Sequence, residues 1–396
     1  MTGLNRRLPA CKAGALPTEL IARSGGENIT GQGGMSSYGV YCFNMKIVII
    51  GAGYMGSALA WPLKDNGHEV HLVGTHLDEE IIHACEKTGI HPKLKRPLPN
   101  GVQVFSFSRI DKALKDAEII VSGVSSFGVH WISEVLRPRV RPGQKILSVT
   151  KGLDITMDGM VRHFPQVLTE SLSAEVRKDV SIAAIGGPCI AGELAGRRQT
   201  CVVFGSEDLS VADFLKEIFQ TNYYHIWTTR DVYSLEVAVA LKNSYALGVG
   251  IAYGVLEKQG GLDQAGASMH NLASALFAEG TWEIAQFLKR TGGNPEFAYT
   301  LPGVGDLYVT TMGGRSVRMG RLLGAGYSFQ KALDLMKGET LEAVEIIRGM
   351  ARWMAALDRK GELSLTDFPL MRALVRTVLE GKALELDIER WFSGDK

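Results

Sequence analysis

Cysteine is scarce in this chain of 396 residues, and its scarcity excludes two classes of protein. No C-x-x-C pair occurs among the five cysteines, which are Cys11, Cys42, Cys85, Cys189 and Cys201. Disulfide-dependent secreted folds are denser in cysteine, and structural zinc sites need clustered ligands. We therefore expect free thiols, a reducing cytoplasmic compartment and no bound metal ion.

Net charge and long apolar runs are also lacking. Lys and Arg number 43 against 42 Asp and Glu, a formal charge of +1, which gives no global electrostatic basis for binding nucleic acid. We find no apolar run near the roughly 18 residues of a membrane helix and expect no stable membrane insertion. The composition is that of a globular protein, and the length favours two or three domains.

Residues 1–44 show little periodic apolar pattern, which predicts a disordered N-terminal extension. A targeting peptide is the alternative, because four basic residues outnumber the acidic ones, although the apolar core of a secretory signal is missing. A working start at Met45 is a further possibility. The basic residues are Arg6, Arg7, Lys12 and Arg23.

Residues 45–230 alternate short apolar runs with amphipathic stretches. The run Lys46–Ile50 predicts a buried parallel strand, and residues 54–63 predict the helix that follows it. This alternation predicts an α/β fold with a Rossmann-like, doubly wound parallel sheet. The other predicted strands are 69–73, 102–105, 119–121, 145–149, 181–185, 200–204 and 223–227.

Residues 231–396 change to long helical periods, which predicts an all-α C-terminal domain. The absence of a low-complexity linker near Arg230 predicts tight packing between the two domains. The predicted helices include 233–257, 267–291, 341–357 and 368–380.

A glycine-rich loop follows the first predicted strand. Gly51, Gly53 and Gly56 form a G-x-G-x-x-G that opens a helix and also contains Tyr54 and Met55. Glycine at these positions permits a tight turn, close approach of a pyrophosphate and close helix packing. The sequence therefore predicts an NAD(H) or NADP(H) site rather than a purely structural turn.

The end of the second predicted strand bears on the choice of coenzyme. NAD-specific folds usually place a carboxylate there for the ribose hydroxyl, but here Thr75 and His76 occupy the position and the first carboxylate is Asp78. NADP(H) is therefore permitted, and Thr75 is a candidate cofactor contact.

Five later segments occur in a diagnostic order. They are T-K-G-L at 150–153, G-G-P-C-I-A-G-E at 186–193, A-L-K-N at 240–243, G-V-G-D-L at 303–307 and G-R-S at 314–316. In this order, and over nearly all of the chain from Met45 onward, the sequence resembles the NAD(P)-dependent glycerol-3-phosphate dehydrogenases of bacterial type.

The resemblance implies a reaction and a set of site residues. The reaction interconverts dihydroxyacetone phosphate and sn-glycerol 3-phosphate, feeds glycerophospholipid synthesis, and is expected here in a homodimer. The implied catalytic residues are Lys242, Lys151 and Asp306. The implied substrate contacts are these three with Gly187, Cys189, Asn243, Thr310, Arg315 and Ser316. The implied cofactor contacts beyond the glycine-rich loop are Lys151, Ala191, Arg315 and Glu342.

The sequence departs from the family pattern at several of these positions. Ser316 stands where Asn is usual, Thr311 where Cys is common, and Cys189 where Ser or Thr is common. Ala343 replaces a usual Gly, and Val124-Ser125 lacks a frequent intervening Pro. These departures bear on the substrate more than on the type of reaction.

Lys242 fits the chemistry on physical grounds as well. Ketone reduction needs a group that stabilises the developing alkoxide and then gives it a proton, and a lysine with a lowered pKa can do both. Lys242 lies in an apolar helical stretch, where burial and the neighbouring cation of Lys151 would lower its pKa. The alternative is that its stem packs while its amine reaches solvent.

The other candidates also have simpler interpretations. Asp306 can orient the lysines together with Thr310, four residues later on one helix face, or it can be only a helix cap. Arg315 suits a phosphate because its planar fork binds two oxygens, whereas Arg318 and Arg321 fit a solvated face. Lys151 follows a strand end, where an exposed loop lysine is the alternative.

Two other functions remain open at this point. A ketopantoate or beta-hydroxyacid reductase would share the two-domain plan and a catalytic lysine, whereas Arg315 with Thr310 favours a phosphate. A non-catalytic dinucleotide sensor would not need the two lysines and Asp306 together. His163, His225 and His270 have no partner pattern and are interpreted as structural or surface residues.

Overall fold

The computed structural model describes residues 44–364 and 366–393. The predicted disordered extension therefore lies, apart from Asn44, outside the described residues. The strands are β1 Lys46–Ile50, β2 Glu69–Val73, β3 Ile90–His91, β4 Arg96–Pro97, β5 Gln103–Phe105, β6 Ile119–Ser122, β7 Lys145–Ser148, β8 Leu153–Ile155, β9 Val161–His163, β10 Ser181–Gly186, β11 Thr200–Gly205 and β12 Tyr224–Thr229. Every run that the sequence predicts as a strand is a strand, with ends shifted by at most two residues.

Eight of these strands form one sheet, in the order β12-β11-β10-β7-β6-β1-β2-β5. The six from β5 to β10 are parallel and have the strand order of a Rossmann fold. The Rossmann-like prediction is confirmed. The hairpins β3–β4 and β8–β9 lie outside this sheet and were not predicted, because their strands are too short to show a period.

One strand, β11, departs from the parallel direction of the predicted sheet. This strand runs antiparallel to β10, and β12 then runs parallel to β11. The connection from β10 to β11 contains one helix of five residues, which spans about 8 Å and cannot return the chain along a strand of roughly 20 Å. The chain therefore reverses at the carboxyl edge of the sheet and comes straight back.

Helices cover both faces of the sheet and make up the part of the chain after β12. They are α1 Tyr54–Ala58, α2 Ala60–Asp65, α3 Glu79–Thr88, α4 Ile110–Leu114, α5 Val129–Leu136, α6 Phe164–Ser171, α7 Ala174–Arg177, α8 Ala191–Ala195, α9 Leu209–Phe219, α10 Val232–Lys258, α11 His270–Arg290, α12 Asp306–Thr311, α13 Arg315–Gly324, α14 Phe329–Leu335, α15 Glu342–Arg359, α16 Pro369–Val378 and α17 Ile388–Trp391. The residues from Asn44 onward pack as one unit, so a domain boundary at 230 stays a prediction.

The single helix predicted over residues 54–63 is two helices. The break falls at Leu59, between α1 and α2. Pro62 has no amide hydrogen to donate to the carbonyl of Ala58, so the regular ladder is interrupted ahead of it.

Helix α10 corrects the statement that no segment is long and apolar enough to cross a membrane. Its 27 residues meet that criterion, but the qualifying window is wholly buried inside the protein. A helix that is apolar on all sides belongs in a core, and α10 is the central helix against which α11, α12, α13 and α15 pack.

Glycines set the contact between α10 and α13. A Cβ on Gly320 of α13 would lie 2.0 Å from the carbonyl oxygen of Leu247. A Cβ on Gly254 of α10 would lie 2.0 Å from that of Arg321. Only glycine allows this approach, which fixes the helix that carries Lys242 against the helix that begins at Arg315.

Candidate active site

The glycine-rich loop forms a tight turn at the carboxyl end of β1. Gly51 has φ 113°, and a Cβ there would lie 2.7 Å from the carbonyl of Gly123. A Cβ on Gly56 would lie 2.4 Å from the oxygen of Gly51, so α1 packs directly on the turn. A Cβ on Gly53 would meet only the Gly123 oxygen, at 3.9 Å. The backbone at Gly53 therefore faces open space, a cradle that fits a pyrophosphate.

Asp78 holds this loop in place, a role that the sequence analysis missed. Its buried Oδ2 accepts hydrogen bonds from the Ala52 amide at 3.1 Å, the Thr75 amide at 3.0 Å and the Thr75 hydroxyl at 2.8 Å. One carboxylate thus joins the turn after β1 to the turn after β2. Its position just before the acidic first turn of α3 was the available signal, since Asp is common at helix starts.

The end of β2 contains two different candidate cofactor contacts. The Thr75 side chain is buried, and its hydroxyl donates to Asp78 and accepts from the Leu77 amide. His76 is exposed, and its ring contacts the edge of Trp131 at a centroid distance of 5.1 Å. Of the two, His76 is exposed to solvent, whereas Thr75 is buried and supports the loop through Asp78.

Three charged side chains meet where α10 and α12 approach the carboxyl edge of the sheet. Lys242 Nζ lies 3.0 Å from Asp306 Oδ1 and 2.5 Å from the hydroxyl oxygen of Thr310. Lys151 Nζ lies 2.6 Å from Asp306 Oδ2 and donates to the carbonyl of Gly187 at 3.1 Å. One carboxylate therefore bridges two ammonium groups that come from distant parts of the chain.

Local structure fixes this bridge. Asp306 is the first residue of α12 and follows a π-helical turn over Leu301–Gly305. Its side chain does not cap the helix, and the Thr310 hydroxyl donates to its backbone carbonyl at 2.7 Å. The interpretation of Asp306 as only a cap therefore loses its structural basis, and its side chain is buried at 1 % exposure.

Burial shifts the protonation equilibrium of Lys242. Its removal from water is the largest cause that lowers its pKa, and the positive charge of Lys151 lowers it further. The negative charges of Asp306 and Glu342 act in the opposite direction. The amine lies in a buried cluster instead of reaching solvent, so it can exist both as a donor and, after giving up its proton, as a neutral amine.

The remaining predicted substrate contacts differ in how they relate to this cluster. Gly187 has φ 115°, and its carbonyl binds Lys151. Cys189 is half-buried. The fields of Lys151 and Asp306 reach its thiol, and burial raises the pKa of that thiol to about 12, so Cys189 contributes a neutral surface. The side-chain amide of Asn243 makes no hydrogen bond within the described residues and is available to a ligand.

Two predicted cofactor contacts begin helices. Ala191 is the first residue of α8 and is buried. Glu342 is the first residue of α15, and its charge reaches Lys242. Tyr54 and Met55 begin α1, with Tyr54 exposed and Met55 partly buried.

Arg315 begins α13 with its guanidinium exposed. It has no hydrogen bond or ion pair within residues 44–364 and 366–393, and the partly exposed Ser316 follows it. Gly313 and Gly314, with φ 155° and 123°, connect α12 to this position. Arg318 and Arg321 are by contrast paired with Glu339 and Glu257 on the surface, which makes Arg315 the available cation on this helix.

The three histidines occupy structural or surface positions. His163 is buried and accepts a hydrogen bond from the Gln166 amide, and burial lowers its pKa to about 4. His225 and His270 are exposed.

Comparison with known proteins places this arrangement in one family. The N-terminal model of NAD-dependent glycerol-3-phosphate dehydrogenase matches residues 46–212, and its C-terminal model matches residues 231–388. The chain belongs to this family. The ketopantoate or beta-hydroxyacid alternative is weaker, because both halves of the chain match this one family.

Individual relatives agree with this assignment. The chain is 34 % identical to an NADP(+)-dependent glycerol-3-phosphate dehydrogenase of Archaeoglobus fulgidus, over 86 % of this chain and 97 % of the relative. It is 31 % identical to a glycerol-3-phosphate dehydrogenase [NAD(P)+] of Bacillus pumilus, over 87 % and 93 %. The solved structure of a Coxiella burnetii glycerol-3-phosphate dehydrogenase shares the fold, with a TM-score of 0.69 at 24 % identity over 85 % and 95 %.

Proposed function

We propose that this protein interconverts dihydroxyacetone phosphate and sn-glycerol 3-phosphate, with NAD(H) or NADP(H) as hydride carrier. The observation that carries the proposal is the buried bridge of Lys242, Asp306 and Lys151 at the carboxyl edge of a Rossmann sheet. The bound dinucleotide supplies the hydride for reduction and accepts it in the reverse direction. The product would feed glycerophospholipid synthesis.

Lys242 is the proposed acid. During reduction its ammonium stabilises the negative charge that develops on the ketone oxygen and then donates a proton to it, which leaves a neutral amine. Asp306 and the Thr310 hydroxyl orient that amine by contacts of 3.0 and 2.5 Å. Lys151 keeps the second oxygen of Asp306 occupied, so the carboxylate cannot rotate away from Lys242.

Arg315 is the proposed phosphate ligand. Its unpaired guanidinium stands at the start of α13, where backbone amides also point outward. The contact between α13 and α10 holds this end at a fixed position relative to Lys242. Asn243 and Ser316 complete the proposed substrate contacts, with Gly187 and Cys189 forming a wall.

The coenzyme contacts follow from the loop. The cradle at Gly53 would hold the pyrophosphate, Tyr54, Met55 and Ala191 would line the path of the dinucleotide, and Lys151, Arg315 and Glu342 would meet its reactive end. Asp78 is turned inward and bound to three donors, so no carboxylate is committed to the ribose. We propose that NADPH is accepted as well as NADH.

One assay tests the function. The purified chain is given NADH or NADPH with dihydroxyacetone phosphate, and cofactor oxidation is compared with that on ketopantoate. Turnover of the phosphate ester with either coenzyme is expected, and NADPH should be used. Turnover of ketopantoate alone would overturn the proposal in favour of the keto-acid reductase.

The domain organisation, the cellular location and the oligomeric state complete the proposal. We propose a Rossmann domain over 45–230 and a helical domain over 231–396; this division is supported by the two family models, of which the first ends at residue 212 and the second begins at residue 231. A cytoplasmic location is proposed because Cys85, Cys189 and Cys201 are free thiols, as expected in a reducing compartment. A homodimer is proposed from the family resemblance, and sedimentation would test it.

A further inference from the structure

A second ionisable side chain is buried on α10, six residues before Lys242. Glu236 has 0 % exposure, and neither of its carboxyl oxygens has a hydrogen-bond partner in the described part of the chain. Buried polar groups in native proteins are nearly always hydrogen-bonded. An orphaned carboxyl so close to a catalytic candidate therefore calls for a role.

The turn of α10 that carries Glu236 lies against the end of β10. A Cβ on Gly186 would be 2.4 Å from Leu235 and 2.8 Å from Val239, so the helix touches the strand backbone here. The next residue, Gly187, gives its carbonyl to Lys151. The helical turn that carries Glu236 thus packs on the strand end whose following carbonyl holds Lys151.

The electrostatic surroundings of Glu236 are simple. Burial raises the pKa of its carboxyl well above the ordinary value, and Lys151 is the charged group whose field opposes that rise. His163, on β9 and edge-on to Tyr233 of α10 at 6.2 Å, is neutral in the assay range, because burial lowers its pKa to about 4. This upward shift of its pKa favours the neutral carboxyl of Glu236 while Lys151 and Asp306 form their ion pair.

Ionisation of Glu236 would change which carboxylate Lys151 prefers. A buried carboxylate without donors is costly, and Lys151, the cation whose field reaches Glu236, is the one that can relieve the cost. Lys151 would then be drawn from Asp306, and Asp306 would no longer be held from both sides. The change is the loss of one proton from Glu236 to solvent, with no bond to carbon formed or broken.

We propose that Glu236 is a positioning residue for the reduction, acting through Lys151: its neutral carboxyl leaves Lys151 on Asp306, and its ionisation releases that contact and lowers turnover at alkaline pH. The proposal rests on the proposed function, since turnover of dihydroxyacetone phosphate is the readout.

The test is the pH profile of kcat and KM for the wild type and Glu236→Gln, measured from neutral to alkaline pH on the full chain. Gln keeps the shape and the neutral state but cannot ionise. We expect similar kcat at neutral pH, and an alkaline loss of kcat displaced upward, so that Glu236→Gln is at least threefold faster one pH unit above the wild-type midpoint. KM should change less than kcat.

A matched control and a second variant make the result decisive. Glu283→Gln neutralises another fully buried carboxyl that lies away from Lys151, and it should leave the alkaline midpoint unchanged. Glu236→Met replaces the carboxyl by a neutral apolar chain and should reproduce the displaced midpoint if Gln perturbs folding.

The outcomes separate the two proposals. An unshifted midpoint in a folded Glu236→Gln or Glu236→Met protein overturns the role of Glu236. Failure of both variants to fold also overturns it, because a neutral group would then not replace the carboxyl. A wild type that never turns over dihydroxyacetone phosphate, at any pH and with either coenzyme, instead overturns the proposed function.

Discussion

Two groups of buried ionisable side chains lie on or against α10, and they differ in the sign of the charges that they bring together. At the candidate site, the negative Asp306 lies between two positively charged lysines and pairs with both. In the helical core, Glu283 and Glu279 of α11 place two like groups together. Glu283 accepts hydrogen bonds from the amides of Leu370 at 2.6 Å and Met371 at 3.0 Å, at the start of α16.

Burial acts in the same way on Lys242 and on Glu283 and favours the neutral form of each. It lowers the pKa of Lys242 and raises that of Glu283 to about 8, where Glu279 adds to the rise and the two amides oppose it. An opposite charge at the site keeps a proton available for transfer, whereas a like charge in the core favours a protonated acid that only joins helices. On the proposed mechanism, the sign of the neighbouring charge, and not burial alone, separates the reactive group from the structural one.

Removing the bridge should have the largest effect. Asp306→Asn leaves two buried ammonium groups without a carboxylate, and breaking a buried pair typically costs about 3–5 kcal/mol. We expect kcat to fall at least ~100-fold, as for the loss of an acid–base group, together with lower stability in urea. Wild-type kcat in this variant would show that Lys242 does not depend on Asp306.

A charge outside the buried cluster should act on binding instead. Arg315→Ala removes an exposed partner of the phosphate, and charged hydrogen bonds contribute about 1.5–3 kcal/mol each. The KM for dihydroxyacetone phosphate should rise at least tenfold by that estimate, with the melting temperature unchanged. Arg318→Ala, on the same helix but paired with Glu339, is the control and should leave KM near the wild-type value. An equal rise in both variants would move the phosphate site.

The carboxyl of Glu283 in the helical core should affect only the stability of the protein, and that stability should fall as pH rises. The pKa of Glu283 rises from 4.5 unfolded to about 8 folded, so its proton contributes stability that is full below pH 4.5 and is lost as pH rises through 8. Glu283→Gln should flatten this decline in urea unfolding between pH 5 and 9. It loses one amide hydrogen bond, about 1 kcal/mol, at every pH. A decline as steep as in the wild type would assign the titration to another group.

Sequence reasoning succeeded where the signal is local. The strand β1, the turn at Gly51 and the helix start at Tyr54 follow one another directly, so period and glycine spacing define them. The start of α12 at Asp306 was predicted for the same reason. The roles of Lys242 and Lys151 came from resemblance, and pairing across 64 and 155 residues could not be read from local pattern.

What the sequence analysis missed depends on packing between distant elements. Asp78 was noted only for not being at the ribose position, and its three bonds to two turns need the sheet to bring those turns together. The reversal of β11 follows from the length of α8, and the orphaned carboxyl of Glu236 follows from how α10 lies on β10. None of these has a signature in spacing or composition.

The central claim is that Lys242 is the acid, and Lys242→Met tests it most directly. Methionine keeps length and apolar bulk while it removes the charge and the proton. The measurement is turnover of dihydroxyacetone phosphate beside a fluorescence titration of NADH binding. The account predicts a loss of kcat of at least ~100-fold with cofactor binding retained, because the dinucleotide rests mainly on the loop after β1. Near-normal turnover in the folded variant would contradict it and leave Lys151 as the candidate acid.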